Sequence, residues 1–219
     1  MEFLNGMIFM ALAIGILAII VHIHETIAKS PRHSGENGER YMSRELNKLD
    51  PHHYTTINNM CLPSSGNTEV TQIDHIVIST YGVFIIETKS HRGYIFGSAK
   101  GKYWTQVLGY HNKYQLYNPI RQNYAHERAL ENLLGEKLKT PPVALVAFPM
   151  ATELKIDAHD KVGRPLQIID KIRSRTHETY SFAERTSIFE AIVAANIVDK
   201  EILEKHKDEV RDLHEAVVS

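Results

Sequence analysis

From Phe3 to His24 the chain carries no fixed charge, and the run FLNGMIFMALAIGILAIIVHI is almost wholly apolar. As a helix, these 22 residues reach roughly 33 Å, enough to cross a hydrocarbon core of about 30 Å. The pattern predicts a transmembrane anchor over residues 1–27. A cleaved signal peptide and a buried helix are the alternatives. The acidic start Met1-Glu2 and the continuation into HIHETIAK, with no small-residue cleavage site, weigh against cleavage. The polar stretch SPRHSGENGE at 30–39 reads as a linker, with the linker proper at 28–38 and the folded domain at 39–219.

Beyond the linker the periodicity changes. Tyr41, Met42, Leu46 and Leu49 recur at helical spacing and predict a short helix over 40–49. YTTINNMCL at 54–62 suits a strand, ended by Pro63-Ser64-Ser65-Gly66. Two apolar runs, 70–79 and 83–89, flank the turn Ser79-Thr80-Tyr81-Gly82 and predict a central antiparallel hairpin. Tyr94-Ile95-Phe96 suggests another strand. Asn118-Pro119 is a helix start, Asn as cap and Pro at the first helical position, and predicts a helix to about Leu134. VALVAF at 143–148 reads as a buried strand. Ser181 and Glu184 form a capping box for a helix to Asn196 or beyond. The charged tail DKEILEKHKDEVRDLHEAVV repeats apolar residues at helical spacing, as a packed surface helix would. The expected class is α/β, a mixed sheet flanked by helices behind one N-terminal transmembrane helix.

Composition narrows this picture little. The 219 residues are 43% hydrophobic and 23% charged, with net charge −1, which fits one domain plus an extra segment. Lys29, Arg32, Arg40 and Arg44 follow the apolar run, whereas only Glu2 precedes it. The positive-inside rule therefore predicts a single-pass membrane protein with its N-terminus outside and its domain in the cytoplasm. The single cysteine, Cys61, excludes an intramolecular disulfide and agrees with a reducing compartment. No Gly-rich phosphate loop ends in Lys-Ser/Thr, which disfavours a nucleotide-driven motor, and no Cys/His spacing suits structural zinc.

Charge inside the hairpin carries the chemistry. Glu87 and Lys89 are two apart and share one strand face. If the turn closes through Thr80-Tyr81, Asp74 stands opposite Glu87; a bulge at Gly82 would shift that register. Facing carboxylates repel unless a proton or cation is shared. On that ground, removing the charge of Glu87 is expected to leave the metal-free fold as stable or slightly more stable. A hard cation such as Mg²⁺ (or Mn²⁺) takes oxygen ligands of this kind, and a lysine beside it can act on the attacking water or the scissile phosphate. A structural Glu–Lys pair, with Asp74 engaged elsewhere, is the competing reading. Glu39 is equally explained as an acidic residue in a helix's first turn, and His75 and His126 as hydrogen-bonded structural histidines.

At this level of detail the chain resembles the nuclease-related domain family, a branch of the PD-(D/E)XK nuclease superfamily. The matching text is GENGERYMSREL at 35–46, TQIDHIVISTYGVFIIETKSHRGYIFG at 71–97, Trp104, and NPIRQNYAH at 118–126. The resemblance implies a restriction-endonuclease-like core with Asp74, Glu87 and Lys89 as catalytic residues. It further implies Glu39 as the acid from the first helix and Gln122 as the polar residue from the helix after the hairpin. The metal would sit on Asp74, Glu87 and the carbonyl of Thr88. All five catalytic positions hold the expected residue type. Beyond about residue 150 no diagnostic block is found, and a C-terminal helical extension is expected there.

From Lys89 to His126 there are six basic residues and no acidic one, interleaved with eight aromatics. Lys100, Lys102, Lys113 and Arg121 are the candidate nucleic-acid contacts, and Trp104 and Phe96 the aromatics expected in the core. The sequence reading is a membrane-tethered, metal-dependent nuclease acting on DNA or RNA. The runner-up is a catalytically weak nucleic-acid-binding or membrane-tethered interaction module. Expected partners are nucleic acid, the lipid bilayer and, through the C-terminal helices, a protein partner or a second copy.

Overall fold

The computed structural model describes residues 31–64, 68–110 and 112–218. The expected transmembrane segment lies outside them, and among the described residues no helix is long and apolar enough to cross a membrane. The chain divides into two compact units, Met1–Asn37 and Gly38–Ser219.

Helix α1 spans Pro31–Leu46, so the stretch expected as a linker is helical from Pro31 onward. Its glycines disguised it, because Gly is a poor helix former. Gly38 is there for space: a Cβ at this position would lie 1.8 Å from Ser90 Oγ. The helix therefore passes against the chain just after Lys89.

Among the described residues nine strands follow in two mixed sheets, where a single mixed sheet was expected. The first has the order β1(Tyr54–Pro63), β2(Val70–Ser79), β3(Gly82–Thr88), β7(Val143–Ala147), β9(Val162–Gly163). β1, β2 and β3 pair antiparallel, while β3–β7 and β7–β9 are parallel. The second has the order β6(Asn112–Tyr117), β5(Tyr103–Leu108), β4(Gly93–Gly97), β8(Ala151–Ile156). Of these eight-residue-or-shorter pieces only the 94–96 strand is legible in the sequence. β5 and β6 bury little beyond Trp104 and Leu116, and Asn112 to Gln115 are exposed in a row, so no alternation of apolar and polar residues marks them.

Helices cover both faces of the first sheet. On one face Ile76, Ile78, Val83 and Ile85 pack with Leu130 and Leu134 of α2(Pro119–Leu134) and with Ile188 and Ile192 of α4(Phe182–Ala194). On the other, Val77, Phe84, Ile86 and Leu145 pack with Met42 and Leu46 of α1 and with Ile168 and Ile172 of α3(Pro165–Arg173). A third cluster, centred on Ile95, Trp104 and Phe148, joins the second sheet to β7 and β9. Both caps read from the sequence form: Asn118 Oδ1 accepts from Ile120 N, and Ser181 and Glu184 close a reciprocal capping box. Helix α5(Lys200–Val218) closes the chain.

Strand alternation breaks near Asp74 of β2. Ile73 serves the same core cluster as Ile76 and Ile78, a step of three rather than two. Opposite this break, between the pairs Asn58↔His75 and Met60↔Ile73, Asn59 adopts the left-handed conformation with φ 55°. Such irregularities re-aim a side chain, and here the residue concerned is Asp74.

Candidate active site

The hairpin turns through Thr80-Tyr81, with Ser79 opposite Gly82 and the register running on to His75 opposite Ile86. Asp74 lies just beyond this pairing, close enough to Glu87 for their charges to act on each other. Asp74 Oδ2 accepts the backbone N–H of Thr88 at 2.7 Å. Burial and then the Glu87 charge push the Asp74 carboxyl well above the usual carboxylate range, against the pull of that N–H.

Glu87 is buried and fully engaged. Oε1 pairs with Lys89 Nζ at 2.8 Å, and Oε2 meets His126 Nε2 at 3.2 Å. Its burial alone would raise its pKa, but the Lys89 charge and the bond from His126 prevail and hold it at about 2. The two neighbouring carboxyls are thus driven apart, one toward the anion and one toward the acid.

Lys89 is fixed from both sides. Its backbone N–H reaches Ala147 O at 2.8 Å, continuing the β3–β7 pairing. Its ammonium donates to Gln122 Oε1 at 2.8 Å. Desolvation pulls its pKa down, but Glu87, then Asp74 and Glu39, raise it above the ordinary lysine value. Helix α2 presents Gln122 and His126 four residues apart on one face, and the two side chains take Lys89 and Glu87 respectively. Asn123, between them, anchors the helix through Nδ2 to Leu145 O at 2.7 Å. Glu39 is half-buried on α1, one residue past Gly38, and its charge acts on both Asp74 and Lys89. All five catalytic candidates are therefore brought to one end of the first sheet.

A second layer of polar contacts was less legible. His126 Nδ1 meets Thr71 Oγ1 at 2.6 Å, and so Thr71–His126–Glu87 forms a buried chain. His75 sits between Asn58 Oδ1 at 2.7 Å and Thr88 Oγ1 at 3.1 Å. Burial lowers its pKa to about 4. His126 and Thr71 stand at the ends of the family-like blocks NPIRQNYAH and TQIDH, but nothing in the sequence paired them, and Asn58 left no signal.

The nucleic-acid candidates lie elsewhere. Lys100, Lys102, Lys113 and Arg121 are exposed. The turn that carries Lys100 is tied down by Asn118, whose Nδ2 donates to Ser98 O, Ala99 O and Gly101 O. Trp104 is buried as expected, but Phe96 is 38% exposed and is not a core residue. It lies on β4 one step from the inward-facing Ile95, so alternation sends it to the outer face.

Asp74 and Glu87 offer hard oxygen donors, the type that Mg²⁺ or Mn²⁺ takes. A cation between them would replace the proton that Asp74 otherwise favours, so the donor chemistry fits. Among the described residues no three His, Cys, Asp or Glu side chains converge as a metal cage. Each Glu87 oxygen accepts one protein contact, from Lys89 or from His126, and keeps a second lone pair with which it could meet an ion.

Comparison with known proteins identifies the family. Residues 34–149, more than half of the chain, match the nuclease-related domain family. The chain is also similar to an uncharacterized protein of Bacillus anthracis, 36% identical over 205 residues that cover 91% of this chain and 93% of that protein. No solved structure matches.

Proposed function

The chain belongs to the nuclease-related domain family, and we propose that it hydrolyses phosphodiester bonds of DNA or RNA at the Asp74–Glu87–Lys89 centre. The observation that carries this reading is the placement of Lys89. Its ammonium is held between Glu87 Oε1 and Gln122 Oε1, each at 2.8 Å, beside a second carboxyl whose proton affinity is raised. The antiparallel hairpin extended in parallel by β7, with helices on both faces, supports a restriction-endonuclease-like core.

Asp74, Glu87 and the Thr88 carbonyl would hold Mg²⁺ or Mn²⁺, which when bound supplies Lewis acidity toward a phosphoryl oxygen. Lys89 orients the attacking water and meets the charge that builds on the phosphate. Gln122 keeps the ammonium from collapsing wholly onto Glu87. His126 holds the other Glu87 oxygen, and Glu39 adds negative charge at the mouth of the site. Phe3–His24 would tether the domain to the cytoplasmic face of a membrane.

A second reading, a binding module without useful turnover, draws on the engagement of both Glu87 oxygens by Lys89 and His126, which competes with an ion for them. The two readings part on one experiment: cleavage of DNA and RNA substrates by the purified chain with Mg²⁺, with Mn²⁺ and with chelator. Metal-dependent products support the nuclease; none on any substrate leaves the binding module.

A further inference from the structure

The second sheet presents an outward face that the catalytic reading does not use. On β4, Ile95 points into the core while Tyr94 and Phe96 are 40% and 38% exposed. The register sets Tyr94 between Glu153 of β8 and Val107 of β5, and Phe96 between Lys155 and Thr105. Farther across, Tyr103 stands opposite Tyr117 with ring centroids 6.3 Å apart. Lys113 lies opposite Val107 on the same face. Lys155 Nζ sits 5.5 Å from the Phe96 ring and 5.9 Å from the Tyr94 ring, and Lys102 Nζ lies 5.1 Å from the Tyr103 ring. Aromatic rings and lysines therefore alternate over this face, with Glu153 as the acid among them, 3.9 Å from Lys155.

We propose that this outer face of β8-β4-β5-β6 is a stacking platform for single-stranded DNA or RNA. This deepens the nuclease reading by naming its substrate as an unpaired strand. Open rings on a sheet stack bases of any sequence, and lysines at their margins take the phosphates. Paired bases keep their faces inside the duplex, so a double helix meets the lysines alone. The three lysines against one acid favour a polyanion over an acidic-poor or neutral protein surface.

The platform is rooted at the catalytic centre. Strands β4, β5 and β6 are inserted between Lys89 and Gln122, whose side chains meet at 2.8 Å. Tyr94 is five residues beyond Lys89, so its Cα lies at most about 18 Å from that of Lys89. A strand lying on the rings thus runs within a few nucleotides of the lysine.

The test uses the full chain in detergent, with chelator present to hold off cleavage. Fluorescent 20-nucleotide oligo-dT and oligo-U and a 20-base-pair duplex serve as probes. The parent binds the single strands more tightly than the duplex. Tyr94→Ala and Phe96→Ala each weaken single-strand binding by at least about five-fold and leave the duplex unchanged, while Phe96→Tyr restores the parent value. Both ring positions are exposed, and thermal melting checks that the variants fold. Single-strand affinity within two-fold of the parent in the Tyr94→Ala/Phe96→Ala double variant overturns the proposal. So does equal loss on single strand and duplex, or a change of oligomeric state as the sole effect, which would mark the face as a contact between copies. Cleavage by the parent with unaltered binding by the variants sinks the platform and spares the nuclease. Platform binding without cleavage does the reverse.

Discussion

The Lys89 ammonium and the Gln122 amide oxygen, 33 positions apart in the chain, meet at 2.8 Å. Everything between them, β4, β5 and β6, leaves and returns at this contact. The lysine is therefore locked by an element from outside its own hairpin, and that lock sets its distance from Glu87.

The buried pair reverses an expectation drawn from the sequence. Facing carboxylates alone imply that Glu87→Gln relieves repulsion and costs nothing. In the structure Glu87 is the partner of Lys89 at 2.8 Å and of His126 at 3.2 Å. Removing its charge leaves a partly buried ammonium short of its counter-ion, a change that costs about 1–3 kcal/mol. Thermal melts in chelator should show Glu87→Gln below the parent; an equal or higher midpoint would restore the repulsion argument.

Gly38 supplies a second test. A Cβ there meets Ser90 Oγ at 1.8 Å and Ser90 Cβ at 3.0 Å. Gly38→Ala should destabilise the domain by about 1–3 kcal/mol and lower activity by displacing Glu39. Adding Ser90→Gly should recover most of the stability in denaturant titration. Failure of that rescue would place the cost in backbone conformation rather than in the close approach.

The helix cap at Ser181 makes stability depend on acid. Glu184 is held at about 2, first by the bond from Lys139 and then by the Ser181 N–H and hydroxyl. Its folded pKa lies below the ordinary value of 4.5, so its contribution is whole above pH 4.5 and is lost as pH falls through about 2. Across that window the melting temperature of the parent should fall more steeply than that of Glu184→Gln. Parallel slopes would remove Glu184 from the linkage.

Membrane attachment is tested directly. Full-length protein should stay with membranes through a carbonate wash, and protease added outside intact cells should not reach residues past 30. Recovery of the intact chain in the soluble fraction would contradict the tether.

Much of the first sheet was legible because β-branched runs on both sides of a Gly-containing turn mark a buried hairpin, and Asp74, Glu87 and Lys89 ride on it; the register stayed open until the Ser79–Gly82 pair was placed. The caps at Asn118 and Ser181 were legible because a cap is a local, four-residue device. What stayed hidden depends on contacts distant in the chain. Gly38 looked like a linker residue until Ser90 was seen beside it. Phe96 was expected in the core as one of the aromatics of this stretch, and only its placement beside the buried Ile95 on β4 turns it outward. His126 and Thr71 join through a hydrogen bond spanning 55 positions, for which no spacing rule exists.

The central claim is that chemistry happens where Glu87, Lys89 and Gln122 meet. The measurement that bears on it most directly is the single-turnover cleavage rate of an end-labelled single strand in Mg²⁺ or Mn²⁺. It compares the parent with Lys89→Ala and Gln122→Ala, each checked for a folded spectrum, with metal affinity read in parallel by calorimetry. The account predicts a loss of at least about 100-fold for Lys89→Ala, a smaller loss for Gln122→Ala, and metal affinity kept in both. An unchanged rate in folded Lys89→Ala would contradict it.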